Sequence, residues 1–186
     1  FFPAKPLGCY GDGGAIFTND DELASIMRSI RVHGGGVDKY QNIRVGLNGR
    51  LDTIQAAILL EKFRIFPGEI DARNKFAKYY SDNISNRFIK PFVPKDYLSS
   101  WAQYSILVEN MQERSLYMGK LRDAGIPTMI YYKTPLHLQT VFSNLNYDKG
   151  DFPTSENISE RIFSIPMHPY LNLSDQDKII EVLNNG

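Results

Sequence analysis

Apolar residues recur at helical spacing between residues 19 and 34. Asn19 and Glu22, three residues apart, fit the reciprocal pair of side chains that opens a helix. The apolar positions that follow are Leu23, Ile26, Met27 and Ile30. Intervals of three and four residues place them on one face of a helix. The pattern therefore predicts an amphipathic helix that stops at the glycines of residues 34–36.

Two further helices are expected on either side of a proline–glycine pair. The first begins at Leu51 and ends near residues 66–68, because Pro67 and Gly68 interrupt the helical pattern. The second covers about residues 69–87, with one apolar stripe and a charged opposite face. The residues of that stripe are Ile70, Ala77, Tyr80, Ile84 and Phe88. We interpret this helix as a connection between two lobes.

Shorter apolar runs predict strands. Residues 7–10 and 15–18 flank a glycine-dense turn and are expected to form two short strands. After a linker marked by two prolines, strand and helix patterns alternate, which suggests a small α+β lobe over residues 91–186. The expected strands are 101–108, 127–132 and 163–165, and the expected helices are 112–124, 152–162 and a last one capped by Ser174 and Asp177.

Composition limits the class of partner. The 186 residues carry 21 basic and 21 acidic side chains, so there is no electrostatic argument for nucleic acid or an anionic membrane. The densest apolar run, residues 54–60, is much shorter than a membrane span and is interrupted by Gln55. The single cysteine, Cys9, excludes a disulfide framework within the chain and is interpreted as a small buried residue.

Lys5 is the first candidate for chemistry, and it stands between Pro3 and Pro6. Both prolines fix their own backbone angle and disfavour helix in the residue before them, so Lys5 lies on a stiff segment. A lysine amine held in this way can attack a carbonyl if it is buried or crowded enough to lose its proton. From spacing alone, a solvated lysine beside a turn is the more frequent outcome.

Asn48 and Arg50 are the second candidate, at the end of a long glycine-rich loop over residues 34–48. They precede the helix predicted from Leu51. A helix start offers unpaired N–H groups and partial positive charge to a phosphate or carboxylate. From the residues alone, a turn-forming asparagine and a surface arginine remain the more frequent explanation.

The three histidines are too scattered to predict a metal site. His33 comes directly before the glycines at 34–36 and is expected to cap the carbonyls of the preceding helix. His168 lies between two prolines, where a structural role is expected. His137 lies in the segment 131–139, which starts a loop or a short helix.

The string Phe-Phe-Pro-Ala-Lys-Pro-Leu-Gly-Cys-Tyr-Gly-Asp-Gly-Gly-Ala, residues 1–15, resembles the lysine loop of the DegT/DnrJ/EryC1/StrS sugar-nucleotide aminotransferases. In that family the lysine holds pyridoxal phosphate (PLP) as a Schiff base and afterwards shuttles a proton. The resemblance therefore implies that Lys5 is both the cofactor-binding and the catalytic residue.

Two later segments resemble further signatures of the same family. Residues 46–57 look like the run whose asparagine reaches the PLP phosphate across a dimer and whose arginine faces the sugar-nucleotide pocket. This implies cofactor binding by Asn48 and substrate binding by Arg50. Residues 131–139 are similar to a segment whose histidine lies near the substrate in some members, which implies substrate binding by His137. Lys133 stands where a proline is usual in that segment.

The resemblance covers essentially all 186 residues and implies an α/β fold, the C-terminal part of a fold-type-I PLP aminotransferase. Residues 1–90 would be the end of the large domain with its connecting helix, and residues 91–186 a small C-terminal α+β domain. The preceding half of the polypeptide is expected to supply the remaining cofactor contacts, including an acid for the ring nitrogen and a serine immediately before Phe1.

The reaction implied is transfer of an amino group, from glutamate in most relatives, to a keto sugar carried on a nucleotide. We expect a cytoplasmic homodimer with shared active sites, and no membrane or nucleic-acid partner. The sequence around Lys5 and Arg50 is most similar to that of enzymes that act on UDP-linked 2-acetamido keto sugars or uronates. Two alternatives stay open: a truncated inactive fragment, and a homologue that binds sugar nucleotides without catalysis.

Overall fold

The computed structural model describes residues 1–185, which form two compact units that divide between Pro67 and Gly68. Helix α1 covers Asp21–Arg31 in the first unit. Helix α2 covers Thr53–Asn83, so it begins in the first unit and ends in the second. The domain boundary expected near residue 90 stays a prediction. Within the described residues, no helix is both long and apolar enough to cross a bilayer.

Helix α1 is present as predicted, but its cap is Asp20 and not Asn19. The backbone of Asp20 is extended, and its carboxylate accepts the N–H of Leu23 at 2.9 Å. A carboxylate at this position satisfies an unpaired N–H and complements the positive end of the helix dipole. Asn19 lies one residue too early for that bond. The last turn carries Arg28 and Arg31, which suit the negative end.

The strand pair expected at residues 7–10 and 15–18 is not formed. The first segment bonds locally, since the Cys9 N–H donates to the carbonyl of Phe1 at 2.9 Å. In the second, Ile16 and Phe17 are 77% and 91% exposed, and no described strand pairs with them. A strand needs a neighbour to satisfy its N–H and C=O groups, so a short apolar run beside a turn is not sufficient.

The two helices predicted around Pro67 are one continuous helix of 31 residues. A proline inside a helix removes one N–H donor, while the residues on both sides keep their helical bonds. Helix α2 begins at Thr53 rather than Leu51 and ends at Asn83 rather than residue 87. The predicted stripe is nevertheless buried at Ala77, Tyr80, Ile84 and Phe88, and partly buried at Ile70.

The second unit contains a two-stranded antiparallel sheet between helices. Strand β1, Tyr104–Leu107, pairs with β2, Ile162–Ile165, so that Tyr104 lies opposite Ile165. The helices are α3, Met111–Asp123, α4, Pro153–Arg161, and α5, Leu173–Asn184. Two 3₁₀ turns, Leu136–Leu138 and Thr140–Leu145, lie between α3 and α4. These elements confirm the strands predicted at 101–108 and 163–165 and the helices at 112–124 and 152–162.

Two predictions in this unit need correction. Residues 127–132 form only a single bridge, in which Ser164 N–H donates to the carbonyl of Met129 at 2.7 Å. The chain turns immediately afterwards, at residues 131–134, which ends the pairing. Helix α5 is capped by Asn172, whose side chain accepts the N–H of Asp175 at 2.8 Å, and not by Ser174. Asn172 precedes the helix directly and is therefore in position for the first unpaired donors.

The core of the second unit is mainly aromatic and aliphatic. The rings of Trp101 and Tyr104 stack at 5.5 Å, and those of Phe88 and Tyr117 meet edge to face at 4.8 Å. The guanidinium of Arg73, 7% exposed, donates to the carbonyls of Trp101 and Met167 at 2.8 and 3.3 Å. Burial lowers the pKa of this guanidinium. These bonds hold the segments before β1 and after β2 to helix α2.

Candidate active site

The lysine segment is a small closed loop in the first unit. The backbone N–H of Lys5 donates to the carbonyl of Phe2 at 2.9 Å, which closes one turn beneath the lysine. A side-chain carbon at Gly8 would lie 2.6 Å from the carbonyl oxygen of Pro3, so only glycine fits there. The two prolines and this close approach fix the backbone that carries Lys5.

The Lys5 side chain is exposed and makes no hydrogen bond or ion pair within residues 1–185. Within the described residues the amine is therefore sterically accessible. The burial that was expected to help remove its proton is not found within the described chain. Any crowding of this amine has to come from groups outside residues 1–185.

Cys9 is fully buried under the lysine loop. Its thiol donates to the carbonyls of Phe1 and Gly11 at 3.1 and 3.0 Å. These contacts confirm the interpretation of Cys9 as a small packing residue. They also connect the loop to the glycine turn that follows it.

Asn48 and Arg50 lie on an irregular segment that is bonded to the end of α1. The N–H groups of Leu47 and Gly49 donate to the carbonyls of Ile30 and Arg31, both at 2.9 Å. The Arg50 Nε donates to the Asn48 side-chain oxygen at 2.9 Å, and both side chains are exposed. This bond occupies the amide oxygen of Asn48 and leaves its NH₂ group free to donate.

Gln55 joins the lysine segment to the segment of Asn48 and Arg50. Its side-chain oxygen accepts the backbone N–H of Tyr10 at 2.8 Å, and its amide also faces Gly11. Gln55 lies in the first turns of α2, shortly after Arg50. No role was predicted for it, although a glutamine that interrupts an apolar run was a signal. In the first unit, both predicted site segments therefore adjoin the start of α2.

An apolar cleft of about 1020 Å³ also lies in the first unit, between residues 14–19 and α1. Ile16, Phe17 and Met27 contribute to its lining, whereas Lys5, Asn48 and Arg50 do not. Its lining is mainly apolar, and Arg28 and Arg31 are the charged residues in it.

His137 lies in the second unit, in the first 3₁₀ turn. Its side chain is only 7% exposed, and its Nε2 is 2.9 Å from Oε1 of Glu156. The ring also lies 4.7 Å from the ring of Phe152. The structure therefore places the predicted substrate histidine in a buried contact with a carboxylate, which the sequence did not predict.

The carboxylate of Glu156 is held by more than the histidine. It accepts the N–H of Gly150 at 2.8 and 3.0 Å and that of Phe152 at 3.3 Å. The bond from Gly150 is the main cause of a lowered pKa for Glu156, with the bond to His137 adding to it. The group stays ionised below the usual range of a glutamate. In sequence it was one of several charges on a short helix, and no spacing signal marked it.

The other two histidines have local roles. His33 adopts φ 59° after the end of α1, and its backbone N–H donates to the carbonyl of Leu47 at 3.0 Å. It therefore connects the helix end to the loop through its backbone rather than by capping with its ring. The Nδ1 of His168 accepts the N–H of Tyr170 at 3.2 Å, in line with a structural role. Burial lowers the pKa of His168, which favours the neutral ring.

Comparison with known proteins identifies the family. The model of the DegT/DnrJ/EryC1/StrS aminotransferase family matches residues 1–184. The chain belongs to this family. It is 44% identical over 186 residues to a UDP-2-acetamido-2-deoxy-3-oxo-D-glucuronate aminotransferase of Pseudomonas aeruginosa, covering 100% of this chain and 50% of that protein.

Solved structures agree with this assignment. A DegT/DnrJ/EryC1/StrS aminotransferase from Brucella abortus is 51% identical, with a TM-score of 0.92 over 100% of this chain and 49% of the other. DesV of S. venezuelae, solved with a ketimine intermediate, is 29% identical with a TM-score of 0.93 and the same coverage. The predicted fold class, part of an α/β aminotransferase of this family, is confirmed. The chain spans about half the length of these relatives.

Membership of the DegT/DnrJ/EryC1/StrS family implies PLP as the cofactor. The groups present fit parts of that molecule. The unpaired amine of Lys5 suits its aldehyde, and the free NH₂ of Asn48 suits a phosphate oxygen. Arg50 adds positive charge beside Asn48. The comparisons support the family and the fold.

Proposed function

We propose that the full-length protein transfers an amino group from glutamate to the keto group of a UDP-linked 2-acetamido sugar or uronate, with PLP bound at Lys5. The observation that carries the proposal is the unpaired amine of Lys5 on a backbone loop that two prolines and Gly8 fix in place. The substrate class is supported by the 44% identity to the Pseudomonas aeruginosa enzyme, whose name states its substrate. A cytoplasmic location and a homodimer are parts of the same proposal.

Each residue then has a defined task. Bound PLP supplies the electron withdrawal that makes a proton on the amino-bearing carbon acidic. The Nζ of Lys5 binds the cofactor and afterwards accepts and returns that proton. The NH₂ of Asn48 donates to the cofactor phosphate of the partner subunit in the dimer. Arg50 orients Asn48 through the 2.9 Å bond and faces the negatively charged sugar nucleotide.

The direct test is a coupled assay for 2-oxoglutarate with the full-length protein, PLP, glutamate and a UDP-linked 3-keto-2-acetamido sugar. Glutamate alone allows a single turnover. Beyond that turnover, we expect 2-oxoglutarate to form only when the UDP-sugar is also present. Binding of the UDP-sugar without any 2-oxoglutarate would instead support the homologue without catalysis. If residues 1–186 alone show no visible absorbance after incubation with PLP and removal of the unbound cofactor, this part alone does not hold PLP.

Asn48 offers a test that does not depend on turnover. Replacement of Asn48 by alanine removes a hydrogen bond to a charged phosphate, which is worth about 1.5–3 kcal/mol. We expect the dissociation constant for PLP, measured by equilibrium dialysis of the full-length protein, to rise about tenfold or more. Arg64→Ala is the control, because Arg64 lies on α2, away from Asn48 in the chain, and within the described residues makes only an exposed ion pair with Glu61 at 2.9 Å. Equal PLP affinity in N48A and wild type would contradict the assignment of Asn48.

A further inference from the structure

A second cavity, of about 400 Å³, lies within the second unit. One wall comes from residues 131–139, including Leu136 and Gln139, and the opposite wall comes from α4, including Ser155 and Ile158. The segment 131–139 is the one that resembles the substrate segment of the family. The distance between the two walls therefore limits the width of a ligand that the cavity can admit.

The contact between His137 and Glu156 joins these two walls. His137 lies between Leu136 and Gln139 in the chain, and Glu156 follows Ser155 on α4. Their side chains are 7% and 11% exposed, and the atoms in contact are 2.9 Å apart. A largely buried bond of this kind resists changes in the distance between the walls, because breaking it removes one of the partners of a largely buried carboxylate.

Glu156 also holds the chain that connects the walls. The N–H groups of Gly150 and Phe152 donate to the same carboxylate that contacts His137. The Phe152 ring packs against His137 and, at 5.0 Å, against Tyr147. The ionised side chain of Glu156 thus connects the first 3₁₀ turn, the loop before α4 and α4 itself beside the cavity.

We propose that Glu156 is a positioning residue, which acts through His137 to set the width of this cavity for the nucleotide-linked sugar. The inference rests on the proposed function, since it takes the sugar nucleotide as the occupant. In this proposal His137 acts as a support of the cavity wall: its Nε2 bonds to the Glu156 carboxylate, and its ring packs in the wall. Substrate affinity then depends on a residue that does not itself touch the substrate.

The experiment compares the full-length E156Q, H137Q and E160Q variants with wild type in steady-state kinetics. Glutamine at 156 keeps the size of the side chain but removes its charge. We expect E156Q and H137Q each to raise KM for the UDP-sugar about fivefold, with kcat and KM for glutamate within about twofold of wild type. The double variant should lose no more than either single one, because both break the same bond. E160Q is the matched control, since Glu160 is an exposed glutamate on the same helix.

Hydrogen exchange gives a readout that is independent of activity. The amides of Gly150 and Phe152 should exchange faster in E156Q and at the wild-type rate in E160Q. An active E156Q with unchanged KM for the UDP-sugar would overturn this inference and leave the proposed function intact. So would equal losses for both substrates, or loss of the fold in E156Q and H137Q together, since Glu156 would then be purely structural. A wild-type protein that forms no 2-oxoglutarate would overturn the proposed function, and the positioning role with it.

Discussion

Replacement of Lys5 by alanine in the full-length protein is expected to abolish formation of 2-oxoglutarate from glutamate. The reason is that one amine both anchors PLP and moves the proton. Loss of a positioned acid–base group alone lowers rates by about 10²–10⁴-fold, and loss of the anchor adds to this. The Lys5 amine has no partner within residues 1–185, so its removal breaks no described contact. We therefore expect the fold to survive, as circular dichroism and the thermal midpoint will show.

Lys75→Ala is the matched control for this experiment. Lys75 is another exposed lysine without a partner among the described residues, and it lies on helix α2. Its replacement should leave activity and cofactor content unchanged. Activity of K5A within tenfold of wild type would contradict the role of Lys5, whatever the control shows.

Replacement of Gly34 by alanine is expected to destabilise the loop that carries Asn48. Gly34 has φ +73°, and a side-chain carbon there would lie 1.8 Å from the carbonyl oxygen of Arg44. The same backbone faces Gly46, where a side-chain carbon would lie 2.0 Å from the Gly34 nitrogen. The backbone must move to accept the methyl group, and left-handed strain adds to the cost. We expect a loss of about 2–4 kcal/mol in the free energy of unfolding.

Urea unfolding of the full-length protein measures this loss, and PLP affinity reports the displacement of Asn48. Gly68→Ala is the control, because Gly68 lies inside α2 with nothing within 4 Å of the added carbon. Alanine in a helix interior is favoured over glycine by about 0.5–1 kcal/mol, so G68A should be neutral or stabilising. A G34A protein as stable as wild type would show that the loop tolerates a different backbone path.

The sequence predicted well those elements whose signals are local. Helices α3 and α4 were found within a residue or two, because their caps and breakers lie next to them in the chain. Pro67 does not end the helix as predicted, because a long helix with its other bonds intact accommodates one missing donor. Asn19 and Asp20 are both good caps, and only the backbone geometry separates them.

Strand pairing could not be predicted from the local residue pattern alone. Residues 15–18 form a short apolar run beside a turn, but they have no described partner, and residues 127–132 pair through a single bridge. Pairing depends on segments distant in the sequence, which a local pattern does not contain. The strand predicted at residues 101–108 is present as β1 because β2 runs beside it.

The sequence marks candidate site residues only where a family signature covers them. Lys5, Asn48, Arg50 and His137 come from such segments, and their roles stay predictions; the structure places Asn48 and Arg50 in contact. Gln55 left a weak signal as a polar residue within an apolar run. Glu156 left none, because a carboxylate that binds two loop amides and a histidine looks in sequence like any charge on a short helix.

Borohydride treatment of the full-length protein with PLP identifies the lysine that carries the cofactor. Hydride reduces the C=N bond between a lysine and the cofactor and makes the attachment permanent, so that peptide mapping by mass spectrometry locates the modified residue. We expect one modified lysine per chain, Lys5, and no modification in K5A. Attachment to a different lysine, or none after visible absorbance has confirmed that PLP is bound, would contradict it.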